Sequence, residues 1–167
     1  MIYLKKILTH PYLAFALRLY LAYTFFQSGW EKVTHLDAFV EIVKAYNILP
    51  SILAEMYARA LPFVELGVAF YLLFGLLTRW TTVVTALMLI SFMIATVINL
   101  VRGTEVTNCG CFALDEYGEG FGWHTFWRQV WYMIPTVLLF FGRYDILSID
   151  AWLAKKKQKA EEQIGRA

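Results

Sequence analysis

TTVVTALMLISFMIATVINLV, residues 81–101, carries no charged side chain and is long enough for one full crossing of a bilayer. About 20 helical residues span a hydrocarbon core of about 30 Å, so this stretch predicts a transmembrane helix and sets the class of the protein. The whole chain agrees. Of its 167 residues 59% are hydrophobic and 17% charged, with a mean hydropathy of +0.53, which is too apolar for an ordinary soluble domain.

Working outward, three further stretches predict crossings at residues 11–29, 60–77 and 125–141. The last is the shortest; it carries Arg128 near its start and Pro135 inside, where a kink is expected. Residues 12–29 hold Arg18 and no small-residue cleavage site, so an uncleaved first span is expected rather than a signal peptide. Between the first two spans Leu36, Phe39, Val40 and Val43 recur at helical spacing, which predicts an amphipathic helix on the outer surface. Pro50 should end it, and Leu53, Met56 and Tyr57 predict a second short apolar stripe. After Gly142, residues Ile146, Ile149, Trp152 and Leu153 predict an interfacial helix that runs into a basic tail. The expected fold is therefore an all-α membrane protein, a four-transmembrane-helix bundle forming one domain over residues 1–154, with a cytoplasmic tail over 155–167.

Charge gives the topology. The net charge is only +2, but lysines gather at Lys5, Lys6, Lys155, Lys156, Lys157 and Lys159. With four crossings both termini share a side, which the positive-inside rule makes the cytoplasm of a bacterial or archaeal inner membrane. The link at Thr78, Arg79 and Trp80 lies on that side too. These clusters read as membrane-flanking segments rather than a nucleic-acid surface. Trp30, Trp80, Trp123 and Trp127 fall near span ends, as aromatic belts do.

The link between the third and fourth spans then faces outward, and it contains the only two cysteines, Cys109 and Cys111, with Gly110 between them. Sulfurs two positions apart can close a very small ring, and glycine supplies the unusual dihedrals it demands. A strained, accessible disulfide is oxidising and labile, and the exported side is where disulfides persist. Thiol redox chemistry is the first expectation, with a rigidifying staple as its rival. Zinc or copper on the cysteines with His124 lacks a full ligand set, and no metal site is expected.

Charges within spans require a partner or a purpose. Arg18 and Glu65 have two readings: an ion pair that fixes how two helices dock, or part of a polar pocket with Gln27, Asn99 and Arg128 that holds a head group such as a quinone ring. Arg128 follows the cysteine segment, and its charge would stabilise a thiolate there. Glu31 and Lys32 read as rim or interfacial charges.

The order Arg18, Ser28, Gly29, Glu31, Lys32, then Pro62, Glu65, Gly75, Thr78 and Arg79 resembles the DoxX-type membrane proteins. The Cys109-Gly110-Cys111-Phe112 loop resembles the MauE-type proteins of methylamine utilisation, though Ala113 stands where a glycine is usual. The resemblance implies a four-helix bundle similar to those of DsbB and vitamin K epoxide reductase, and a role in disulfide formation or electron transfer for exported partners. The functional expectation is a membrane thiol-disulfide oxidoreductase acting through Cys109 and Cys111, with a thioredoxin-like or exported thiol protein as partner and quinone as acceptor. The alternatives are a non-catalytic anchor or assembly subunit of a membrane redox complex, and a carrier for a small solute or metal ion using Arg18 and Glu65.

Overall fold

The computed structural model describes residues 11–103 and 123–141, together with 156 and 158. Over these the chain is helical: α1 Pro11–Thr34, α2 Leu36–Ala45, α3 Ser51–Phe74, α4 Thr78–Arg102 and α5 Trp123–Phe141. Two of them, α3 and α4, are long and apolar enough to cross a membrane. The expected stripe on α2 is realised, with Phe39, Val40 and Val43 buried against the bundle.

The helix boundaries follow from backbone chemistry. Pro50, extended at φ −52° and ψ 142°, precedes α3 and accepts the amide of Ala54 at 2.9 Å. Helix α3 then runs unbroken, so the stripe of Leu53, Met56 and Tyr57 belongs to the same helix as the span expected at 60–77. Its buried face there is Ala54 and Ala58, while Leu53 and Met56 are exposed. At the far end Gly75 adopts φ 63°, a left-handed conformation that glycine takes at little cost. The amides of Gly75 and Leu76 return to Leu72 and Tyr71 at 3.3 and 3.0 Å, a Schellman closure. The reversal is complete by Leu77, so Thr78, Arg79 and Trp80 open α4 instead of forming the link.

Helices α1 and α3 pack closely, and α4 packs on α5. Both pairs are antiparallel. Gly29 faces Pro62, Glu65 and Leu66, while Leu19 and Leu73 line one groove. Gln129 meets Thr96, while Thr136 shares a groove with Thr82. Tyr20 and Tyr132 stack at 6.0 Å and join α1 to α5.

Around an apolar core that includes Leu21, Phe25, Leu72, Leu89 and Leu139, polar side chains are buried between the helices while large apolar ones face outward. Helix α4 buries Thr78, Thr81, Thr82, Thr85, Thr96 and Asn99 while exposing Leu87, Ile90 and Ile94. Helix α3 buries Glu65 and exposes Phe63, Phe70 and Phe74. Threonines can sit inside because they bond to their own helix: Thr85 donates to Thr81 O and Thr136 to Tyr132 O, at 2.8 and 2.9 Å. Exposed Leu, Ile and Phe side chains on α3 and α4 over small or polar contacts are the arrangement that lipid, not water, favours.

Candidate functional site: the polar end of the bundle

One end of the bundle, where α1 finishes, α3 begins its second half, α4 finishes and α5 starts, gathers the buried Ser28, Lys32, Glu65, Asn99 and Gln129. Lys32 Nζ lies 2.6 and 2.8 Å from the two carboxylate oxygens of Glu65, and 2.6 Å from Ser28 Oγ. Ser28 donates in turn to Glu65 Oε2 at 3.2 Å. All three residues are buried, at 1% exposure or less. A helix rises 1.5 Å per residue, so Ser28 and Lys32, four apart, share one face of α1 and approach Glu65 together.

Four residues on, Lys32 receives a roof. Its ammonium stands 5.4 Å from the Phe39 ring centroid and 5.5 Å from that of Phe92, so α2 and α4 close over the charge with aromatic faces. Two hydrogen-bond partners and two rings supply what water would otherwise give, which is the condition for burying a lysine.

Deeper in the same end, Gln129 of α5 donates to Thr96 Oγ1 of α4 at 2.9 Å, and its Oε1 is buried with no hydrogen-bond partner. Asn99 is fully buried and donates to Ala95 O at 2.8 Å. Arg128 is half-buried, and its Nε is enclosed without a hydrogen bond. At the rim, Arg102 donates to the carbonyls of Tyr46 and Asn47 at 3.5 and 3.2 Å, tying the end of α4 to the turn after α2.

The sequence-predicted residues are thus only partly brought together. Asn99, Glu65 and Arg128 do lie toward this end. Arg18 does not: it is ten residues, roughly 15 Å of helix, from Ser28. It is buried at 2% exposure with its guanidinium carbon 5.5 Å over the Phe15 ring. The expected Arg18–Glu65 ion pair is therefore replaced by Lys32–Glu65. Gln27 is exposed and does not join the interior group. Thr96 and Gln129 are interior polar residues that no sequence pattern marks, and Lys32, expected at the rim, is interior as well. Lys32 looked like a rim charge because its lid, Phe39, lies on another helix. Cys109 and Cys111, like Lys5, Lys6, Lys155, Lys157, Lys159 and the residues 146–153 expected to form a helix after Gly142, lie outside the described residues. Their segment leaves from Gly103 and returns at Trp123, both at this polar end.

Beside the polar end is a cleft of about 250 Å³ between α2, α3 and α4. Phe39, Leu61 and Phe92 form its inner wall, and Ile48, Leu49 and Ile94, all exposed, stand at its mouth. Its lining also carries Tyr46 and Tyr57, the latter with Oη 3.1 Å from Ser91 Oγ.

Two membrane-capable helices, an apolar exterior and a buried charged and amide cluster at one end define an all-helical membrane protein. Sequence comparison names its family. Residues 10–142 match the model of methylamine utilisation protein MauE, and the chain belongs to that family. It is 34% identical over 105 residues to the methylamine utilization protein MauE of Paracoccus denitrificans, covering 63% of this chain and 56% of that protein. The Methylorubrum extorquens MauE is 28% identical over 109 residues, covering 65% of this chain and 59% of that protein. The chain thus aligns with little more than half the length of these relatives. No solved structure matches it.

Proposed function

We propose that this chain is a bacterial membrane protein that serves methylamine utilisation, the process its relatives are named for, and exchanges disulfides through Cys109 and Cys111 with an exported or thioredoxin-like partner. The observation that carries this reading is Arg128. It sits in the second turn of α5, the helix that begins directly after the cysteine segment, and its Nε is buried without a hydrogen bond. A guanidinium held near the start of a helix lowers the pKa of a nearby thiol and raises its thiolate fraction. In the exchange, a partner thiolate attacks the Cys109–Cys111 disulfide to give a mixed disulfide and release one chain thiolate; the partner's second thiol then displaces the other chain cysteine. The partner loses two electrons and keeps the new bond, and the chain is left with two thiols.

The same reading takes residues 11–29 and 125–141 as two further crossings, with both termini cytoplasmic and the cysteine segment outside. Arg18, Glu65 and Asn99 then become interior positions that hold the helices in register beneath that segment.

The rival is an anchor or assembly subunit, and one observation favours it: the Lys32–Glu65–Ser28 group is internally satisfied, as a docking device would be. Trapping separates the two. Cys109→Ser and Cys111→Ser, made singly in cells and quenched with acid, should leave one variant covalently joined to an exported protein on non-reducing gels. If neither variant captures a partner and the double variant remains fully active, the thiol reading is wrong and the assembly role takes its place.

A further inference from the structure

We propose that the turn after α2 and the first two turns of α3 form a docking surface for a soluble protein that presents an apolar contact ringed by basic side chains. That this protein is the exported partner named above rests on the topology of that reading; the shape and charge of the surface do not.

Ile48 and Leu49 in the turn, and Ile52, Leu53 and Met56 on one side of the start of α3, all stand outward, at 38% to 75% exposure. Lipid does not account for them. Glu55 lies between Leu53 and Met56, pairs with Lys44 of α2 at 3.1 Å, and lies equally close to Arg59 one turn on. Both Glu55 and Arg59 reach the surface, and charged groups at bilayer depth are costly, so this level of α3 lies outside the hydrocarbon. Length agrees. The 24 residues of α3 measure roughly 36 Å, about one turn more than a hydrocarbon core of about 30 Å takes up. An apolar patch held in water calls for a cover. Ile48 and Leu49 also stand at the mouth of the cleft of about 250 Å³, which is smaller than the roughly 300–1,000 Å³ of ligand-enclosing sites and suits one anchor side chain of a partner.

Charge decides what the cover is. Residues 31–65 and 102–124, which build this end or are tethered to it, hold nine acidic and four basic side chains, a net −5 in a chain whose total is +2. Four of the acids, Glu105, Asp115, Glu116 and Glu119, belong to the segment that leaves at Gly103 and returns at Trp123, which has no Lys or Arg. Beside the patch, Lys44 is shared by Glu41 and Glu55, and Arg59 by Glu55 and Asp37, so two cations serve three carboxylates among the described residues. Asp37 and Glu41 face outward, at 96% and 75% side-chain exposure. A second copy of the chain would bring the same excess of negative charge to the contact, and an anionic phospholipid surface would be repelled as well. A basic protein is steered in from a distance and then held by the apolar patch.

The test places a photo-crosslinking amino acid at Leu53 of the full chain in cells, with Trp80, in the opening turn of α4 at the other end of the bundle, as the control position. Leu53 should join one soluble protein, to be identified by mass spectrometry and purified, whereas Trp80 should not. In phosphatidylcholine nanodiscs that purified protein should bind roughly tenfold more weakly at about 300 mM salt than at about 50 mM, as an electrostatically steered contact does. Ile52→Gln combined with Met56→Gln should weaken binding about tenfold. Both side chains are exposed, so the thermal midpoint should not move. Adducts to lipid alone or to a second copy, no adduct at Leu53, or a captured protein whose binding ignores salt would each overturn the surface. The Cys109→Ser/Cys111→Ser double variant should crosslink like wild type. Crosslinking at Leu53 without any thiol trapping keeps the surface and removes the thiol reading; trapping without crosslinking removes the surface alone.

Discussion

Lys32 of α1 and Glu65 of α3 are joined at 2.6 Å inside the bundle, at 1% and 0% exposure, and Ser28 closes the third side of the group. Two helices are therefore fixed against each other by a charged contact that water does not reach. Breaking such a pair from one side strands the other charge, which costs about 3–5 kcal/mol, whereas replacing both with apolar groups is often neutral.

The first prediction follows directly. Lys32→Met or Glu65→Leu alone should lower the thermal midpoint in detergent sharply and reduce the amount of protein in the membrane. The double variant should recover most of the loss. A double variant as poor as the worse single one would show that the two charges act separately.

Close approach of α1 and α3 gives a second prediction. A Cβ on Gly29 would meet Leu66 Cγ at 3.0 Å and Pro62 O at 3.1 Å, and the latter is backbone that cannot swing aside. Gly29→Ala should destabilise by about 1–3 kcal/mol, the usual range for overpacking. Gly67→Ala, where no atom lies within 4 Å, should be neutral or stabilising by up to about 1 kcal/mol. Paired denaturation curves in one detergent would decide it.

Arg102 provides a third. Its two bonds to Tyr46 O and Asn47 O hold the α2 exit to the end of α4. Arg102→Ala should speed amide exchange over residues 44–50 while leaving the middle of α3 unchanged. Uniform protection in both proteins would mean that the tie contributes nothing.

The fourth concerns pH. Lys44 bonds to Glu55 at 3.1 Å and lies 3.5 Å from Glu41, and the bond to Glu55 raises its pKa above the ordinary lysine value. A raised lysine favours the folded state fully below its ordinary pKa, roughly 10.4, and loses that contribution as pH rises through the shifted value. The thermal midpoint of wild type should therefore fall more steeply above about pH 10 than that of Lys44→Gln. Parallel slopes would disprove the linkage. The pair is exposed, so the difference should be small and should shrink in high salt.

What the sequence conveyed, and what it withheld, divides along the difference between pattern and contact. Residues 81–101 announced α4 because an uncharged stretch that long has few other uses, and Phe39, Val40 and Val43 announced the inner face of α2 through their spacing. The partner of Glu65 was another matter. Arg18 and Glu65 are both charges within expected spans, which makes an ion pair between them one economical reading, but α1 and α3 are antiparallel, and that sets Glu65 level with Ser28 and Lys32. Depth in a span carries no register between spans. Gln129 escaped notice for a related reason: an amide beside Arg128 looks like part of a polar helix start, and only its neighbour Thr96 on α4 reveals that it points inward.

The short reversal at Gly75, Leu76 and Leu77 bears on how the protein is made. With so little chain between them, α3 and α4 have no slack in which one could settle across the bilayer while the other waits in the translocon. They would enter lipid as a hairpin, and a flexible tag inserted at Leu76 would uncouple their biogenesis before it disturbed any finished contact.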